Sequence, residues 1–316
     1  MRIFSNANYN FIRWRWHALI VSLVIIWAGV ATIFLKGGVP LGIEFTGGTS
    51  IILKFAKPTG EDVVRRAADQ ISKEAVVQHY GDPGQNEIVL RLPMMAGQEQ
   101  GASLETDAKR IEDSLRAANV GQFDVISKDI VGPIMGKEYQ SKGIWATVAA
   151  LGGILVYVAF RFRFTFALGA IVAAFHDILI TVVLLTWFGY DMTLNVIAAL
   201  LTITGYSVND TIVVFDRVRE NQRQMRREPL DVIVNKSVNQ TLGRTIITSG
   251  ATLLAVVSLY VFGGEVLRGF AFTMLIGVLT GTYSTVFIAA AIAIILSRRP
   301  SPQAQPVPGQ PRARRA

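Results

Sequence analysis

The segment TITGYSVNDTIVVFDRVREN, residues 202–221, closes an apolar run that begins near Met192 and sets Asn209 and Asp210 where hydrocarbon is expected. At 1.5 Å of rise per residue, Asp210 stands about 8 Å from Phe215, the last apolar residue before Arg217 and Arg219. An ionisable group at such a depth is costly and by default marks a pathway, a relay or a paired site. Its reading therefore turns on whether the run crosses a membrane.

Composition says that it does. Of 316 residues 51% are hydrophobic and 17% charged, with a mean hydropathy of +0.40, which is too apolar for an ordinary soluble enzyme. The absence of cysteine excludes disulfides, thiolate metal sites and a thiol nucleophile. Six apolar stretches approach the roughly 20 residues that a helix needs to cross a bilayer core. They are His17 to Leu35, Ile144 to Phe160, Phe166 to Phe188, Thr193 to Phe215, Ile246 to Phe262 and Phe270 to Leu296. The first follows Arg13 and Arg15 as a signal peptide would, but Lys36-Gly37-Gly38 comes after it instead of a small-x-small cleavage site, so it reads as a retained helix.

Basic residues in short flanking segments stay on the cytoplasmic side. Arg2, Arg13 and Arg15 put the N-terminus inside, as do Arg161 and Arg163 for the second connection and Arg217, Arg219, Arg223, Arg226, Arg227, Lys236 and Arg244 for the loop after the fourth span. The connections Gly189 to Met192 and Gly263 to Gly269 hold only Arg268 and face out, while Arg298 and Arg299 return inside. The organisation expected is a cytoplasmic N-terminus over 1–16, a first span over 17–35, an extracytoplasmic domain over 36–142, spans two to six over 143–297, and a disordered, basic, Pro-rich cytoplasmic tail over 298–316 that can rest on anionic membrane lipid. Residues 36 to 140 hold 12 Lys or Arg against 15 Asp or Glu, net −3, in a chain of net +8. The basic charge is thus an orientation signal, and no nucleic-acid partner is expected.

The outer segment reads as a small α+β domain. GGTSIILKF (47–55) is a strand, Thr59 can cap a helix from Glu61 to about Glu74, and AVVQHY (75–80) and EIVLRL (87–92) flank the turn residues GDPGQN as a hairpin. Ser103 can cap a second helix through Ala118, and QFDVISKDIVG (122–132) supplies the last strand. The order βαββαβ predicts a ferredoxin-like fold. No metal-ligand spacing, nucleophile motif or phosphate loop occurs in it, and His79 reads as a strand-surface residue. The chain is expected not to be an enzyme and to carry no cofactor or metal.

Three intramembrane candidates follow. Asp210, with Asn209 beside it, is a protonatable group; the alternative is a helix-end carboxylate paired with Arg217. His176 and Asp177 in the third span are either a relay or inter-helix packing glue. Arg244, at the start of the fifth span on the cytoplasmic side with Asp210, reads on spacing alone as a membrane anchor. Shielding from water favours a carboxyl group's neutral form and an approaching cation its charged form, so helix movement can drive proton uptake and release. Gly152, Gly153, Gly169, Gly205, Gly250, Gly277 and Gly281 would allow such movement, and serve ordinary packing equally.

GIEFTGGTSI (42–51), VGPIMGKEY (131–139), FHDILIT (175–181), ITGYSVNDTIVVFDRVREN (203–221) and VNQTLGRTIITSGATLLAVVSLYVFGG (238–264), in that order and spacing, resemble the SecF branch of the SecD/SecF export family. SecD itself fits less well, having a larger outer region and an Asp-Ala-Asn-Val signature where this chain reads VNDTIVVFDR. The resemblance implies a multi-pass subunit of the bacterial inner membrane whose six helices form half of a bundle like those of resistance-nodulation-division transporters. It further implies SecD, the SecYEG channel, YajC and preproteins in transit as partners, and the proton motive force as energy source. On this chain the family's motifs put a proton relay at Asp210 and Arg244, and an outer-domain hinge or docking element at Glu44, Phe45, Gly47 and Gly48. Glu44 replaces the Asp common in that motif and keeps its charge. A proton-coupled efflux subunit and a passive scaffold are the rival readings. An intramembrane aspartyl protease would need Asp177 and Asp210 to face one another.

Overall fold

The structure, a computed structural model, describes residues 8–70, 72, 75–80, 83–92, 101–131 and 133–297; the basic tail lies outside the described residues. Among them six helices are long and apolar enough to cross a membrane: Phe11–Leu35, Glu138–Arg161, Phe164–Trp187, Leu194–Gln224, Leu230–Phe262 and Leu267–Ser297.

Helix α1 (Arg15–Leu35) follows a 3₁₀ turn at Phe11–Trp14. After the outer domain come α5 (Pro133–Arg161), α6 (Phe164–Trp187), α7 (Leu194–Gln224), α8 (Leu230–Phe262) and α9 (Glu265–Ser284). A π-helical segment, Thr285–Ala289, joins α9 to α10 (Ala290–Ser297) within the last span. The apolar windows of α6, α7 and the last span are half or more buried, whereas those of α1, α5 and α8 are mostly exposed. This is the pattern of three central helices flanked by three that face lipid or a partner. The bundle core is built around Phe215 from Ala170, Ala173, Val214, Val218, Val234 and Ala290, small and branched residues that let helices approach closely.

The basic stretch after the fourth span is not a loop. Helices α7 and α8 run on through Arg217, Arg223, Lys236 and Arg244, leaving only Met225 to Pro229 as the turn. Asn221 explains the continuation: its amide donates 2.8 Å bonds to Ser237 Oγ and Gln240 Oε1 across the hairpin. Hydropathy stops at the water boundary; helix geometry does not.

In the outer domain, α2 (Ile43–Thr46) leads into β1 (Gly48–Phe55), then α3 (Glu61–Ala68), β2 (Val76–His79), β3 (Glu87–Leu92), α4 (Gly101–Ala117) and β4 (Phe123–Val131). The sheet order is β2-β3-β1-β4, with every neighbouring pair antiparallel. This is the ferredoxin-like arrangement that βαββαβ order predicts. One face buries Ile51, Leu53, Phe55, Ile88 and Leu90 against Val64, Ala67, Ile111 and Leu115 of the two helices. The opposite face, with Ser50, Ile52, Val89 and Arg91, meets the membrane bundle around Tyr190 and Thr193. Strand β1 is therefore covered on both faces and buried along almost its whole length.

Two local expectations fail. Helix α3 ends at Ala68, and its N-cap is Gly60 with no side-chain bond; Thr59 Oγ1 donates instead to Lys57 O, 3.1 Å away. Helix α4 begins at Gly101, so Ser103 lies inside its first turn and does not precede it.

Candidate functional site

Asp177, at the middle of α6, is 1% exposed. Its Oδ2 accepts from Ser207 Oγ of α7 at 2.5 Å and from Ser284 Oγ of α9 at 2.7 Å, while Oδ1 lies 3.0 Å from His176 Nδ1. One carboxyl group thus ties the three central helices together. The His176 ring lies against Tyr283, whose hydroxyl donates to Ala18 O of α1 at 2.8 Å. His176 Nε2 is buried without a partner.

Asp210 is held differently. It lies one turn beyond Ser207 on α7 and is 8% exposed. Oδ1 accepts from Thr245 Oγ1 of α8 at 2.8 Å, whereas Oδ2 is buried without a hydrogen-bond partner. Arg244, next to Thr245, is exposed and acts on Asp210 through space, not by a hydrogen bond. Asn209 is exposed, on a groove between α5 and α7 that Gly153, Tyr157 and Gly205 also line. The structure therefore brings Asp210 and Arg244 to one contact between α7 and α8, leaves Asn209 outside it, and gives His176 and Asp177 a separate site. Arg217, the alternative partner for Asp210, pairs instead with Glu220 at 2.6 Å and Gln240 at 2.7 Å.

Hydroxyl pairs extend the polar layer. Thr211 meets Thr285 at 2.9 Å, the first residue of the π-helical segment, and Tyr206 donates to Ser249, which meets Thr282 at 2.9 Å. A π-helical turn widens the helix locally and recurs at functional sites. Two turns before it α9 crosses α7 tightly: a Cβ at Gly277 would fall 2.4 Å from Ile203. Of the other glycines, Gly169 and Gly281 also make close helix contacts, whereas Gly152, Gly153, Gly205 and Gly250 face open space.

The outer domain is fastened to the bundle by charge and backbone. Gly42 N donates to Met192 O at 2.9 Å and Met192 N to Pro40 O at 2.8 Å, stitching the exit of α1 to the α6–α7 connection. Phe45 is buried, near Gly143 of α5. Gly47 and Gly48 have φ of 73° and 120°, which side chains beyond glycine rarely adopt, so the pair turns the chain from α2 into β1. Glu44 shares a cavity with Arg91, Asp129 and Asp191, and Arg91 contacts Asp191. Burial pushes the Glu44 carboxyl above its usual range, and draws the Arg91 guanidinium down to about 10. On the far side of the sheet edge, Arg268 of α9 reaches Glu87 Oε2 at 3.1 Å and Gln85 Oε1 at 2.5 Å; Glu87, fully buried, also takes Lys54 at 3.0 Å. Arg268 was visible in the sequence only as the lone basic residue of the connection Gly263 to Gly269. Ser207, Ser284 and Thr245 gave no signal, since a hydroxyl in an apolar span equally serves helix packing.

Among the described residues Asp177 and Asp210 share no hydrogen-bond partner, the first being held by Ser207, Ser284 and His176 and the second by Thr245. Among the described residues no group of three or more His, Asp or Glu is placed to hold a metal ion.

A family model described as "Protein export membrane protein SecD/SecF, C-terminal" matches residues 110–299, and one for the "SecD/SecF GG Motif" matches residues 32–59. The chain belongs to the SecD/SecF family. The GG model covers the Gly47–Gly48 turn, and the C-terminal model covers both intramembrane carboxylates. Proteins named Protein translocase subunit SecF are similar over nearly their full length: that of Rhodothermus marinus is 40% identical over 95% of this chain and 96% of its own, and that of Escherichia coli O157:H7 is 39% identical over 92% and 88%. The crystal structure of SecDF from Thermus thermophilus, a translocon-associated membrane protein, superposes with a TM-score of 0.80 at 34% identity. It covers 95% of this chain, which spans 40% of the SecDF chain. A SecDF structure in a Super-membrane-facing form gives 0.66 at the same identity. The chain is a multi-pass membrane protein of the Sec export apparatus by family.

Proposed function

We propose that this chain is a SecF-type subunit that works with a SecD-type partner to convert proton passage across the bacterial inner membrane into late-stage movement of preproteins through SecYEG, without acting as an enzyme. Both termini and the α7–α8 hairpin then lie in the cytoplasm and the sheet domain in the periplasm, following the basic residues. YajC belongs to the same proposed assembly.

The observation that carries the reading is the half-partnered Asp210: one oxygen is held by Thr245, the other is buried and free to take a proton. Arg244, close by on an exposed face, supplies a charge whose approach or withdrawal decides whether the proton stays. The match to SecDF chains of which this chain spans only 40% supports a partner half that covers the exposed faces of α5 and α8.

The test is gradient-dependent secretion of a reporter preprotein in cells that rely on this chain carrying Asp210→Asn, with assembly of the complex checked in parallel. Lost secretion with intact assembly is the expected result. Normal secretion would leave Asp210 a structural residue of a passive scaffold.

A further inference from the structure

At the end of the bundle that carries Arg161, Arg163, Arg217 and Arg219, a cavity of about 700 Å³ opens between the segment before α1 and the first turns of α8. Arg13, Arg15 and Lys236 line it, against the single carboxylate of Asp231, which already accepts from Val232 N at 3.0 Å. Among the described residues none of these three cations has a carboxylate within ion-pair distance, in contrast to Arg161, which holds Asp216 at 2.8 Å, and Arg217, which holds Glu220. Arg15 Nε is buried without an acceptor.

The wall of the cavity is fixed. Asn239 accepts from Tyr9 N at 2.8 Å and donates to Tyr9 O at 2.9 Å, Asn235 donates to the same carbonyl at 3.1 Å, and Asn235 Oδ1 accepts from Ile12 N at 3.4 Å. These bonds pin the N-terminal segment to α8 before anything binds, so the cations are preorganised around a space with a positive excess and too few acceptors. A phosphodiester meets that demand, because its oxygens accept charge-assisted bonds from guanidinium and ammonium groups.

We propose that this cavity binds the phosphate of an anionic phospholipid headgroup, at a site distinct from the polar layer around Asp210. The lipid is favoured over a soluble phosphate by what lies below the cavity. Trp16 lines its rim and starts an exposed stripe down α1 through Ile20, Leu23 and Trp27, each more than half exposed. Spacing of three or four residues puts them on one helix face, where acyl chains can lie. Trp14 and Trp16, both more than half exposed, sit at the headgroup level that indoles favour. The proposal rests on the geometry of this end alone and does not depend on proton coupling.

Native mass spectrometry of the full chain, purified with the partner that accompanies it, delipidated and titrated, tests the site. The probes are phosphatidylglycerol, phosphatidylcholine and free glycerol phosphate. The expected result is one tightly retained phosphatidylglycerol, weakened about tenfold or more by Arg15→Gln with Lys236→Gln, and unchanged by Arg226→Gln in the exposed α7–α8 turn. If the double variant does not fold, Arg13→Gln, which alters an exposed side chain, replaces it with a severalfold weakening expected. Equal retention by the parent and these variants, or equal binding of phosphatidylcholine, would overturn the site. Glycerol phosphate binding as tightly as the lipid would overturn the lipid assignment and leave a soluble phosphate ligand.

Discussion

Asp177 of α6 bonds Ser207 of α7, and Asp210 follows Ser207 three residues on, yet the surroundings of the two carboxylates differ in kind. Asp177 has two serine hydroxyls and an imidazole around it, drawn from its own helix, α7 and α9. Asp210 has one threonine, and its second oxygen is unpartnered. A saturated carboxylate is a fastener, since moving any of the three helices breaks a buried bond. An undersaturated one beside an exposed arginine is a switch, since its charge state is decided by what approaches it.

Four experiments can break or sharpen that contrast. Asp210→Asn is expected to abolish gradient-dependent secretion while shifting thermal unfolding in detergent by less than about 1 kcal/mol, because the amide oxygen still accepts from Thr245. A melt lowered as far as that of an Asp177 variant would erase the distinction. Asp177→Ala is expected to lower stability by about 3 kcal/mol, read as loss of folded complex, since Ser207, Ser284 and His176 are left without their common acceptor. An unchanged melting curve would remove Asp177 from the fastener role.

The third experiment extends the contrast to the outer domain. Helix α9 carries both Ser284, bonded to Asp177, and Arg268, bonded to Glu87. Arg268→Ala leaves Glu87 with Lys54 alone and is expected to loosen docking by about 2 kcal/mol, seen as faster amide exchange at Gly42 and Met192. If exchange there stays as in the parent, the backbone stitches hold the domain without the ion pair.

The smallest effect concerns pH. Glu44 in the docked state has its carboxyl raised above 4.5, by burial first and then by Asp129, with Arg91 opposing. The docked state therefore holds the proton more tightly, so docking strengthens as pH falls from neutral toward 4.5 and weakens as pH rises through the docked value. A severalfold slowing of exchange at Gly42 on acidification from about pH 7.5 to about pH 5, absent in Glu44→Gln, is the expected outcome. Slowing of equal size in the variant would assign the effect to another group.

The spans, the βαββαβ order and the candidate carboxylates were legible because each rests on local pattern: run length, alternation, turn residues and a charge out of place. Local pattern also misled where tertiary contacts take over. The basic run from Arg217 to Lys236 reads as a loop because its hydropathy is low, but Asn221 bonded to Ser237 and Gln240 keeps it helical. That both faces of strand β1 are covered is likewise a product of docking on the bundle, which no local pattern records.

By itself the sequence determined that this protein has six apolar spans, one small sheet domain between the first and second, and two carboxylates within those spans, since burial cost and periodicity act on each segment alone. Which carboxylate is saturated, that the neighbour of Asp210 within hydrogen-bond reach is Thr245 and not Arg244, and that Arg268 anchors the outer domain were decided only by tertiary structure. Hydrogen bonds between helices depend on rotation and depth to within about an ångström, and no pattern along one chain segment records where another segment will place its hydroxyl.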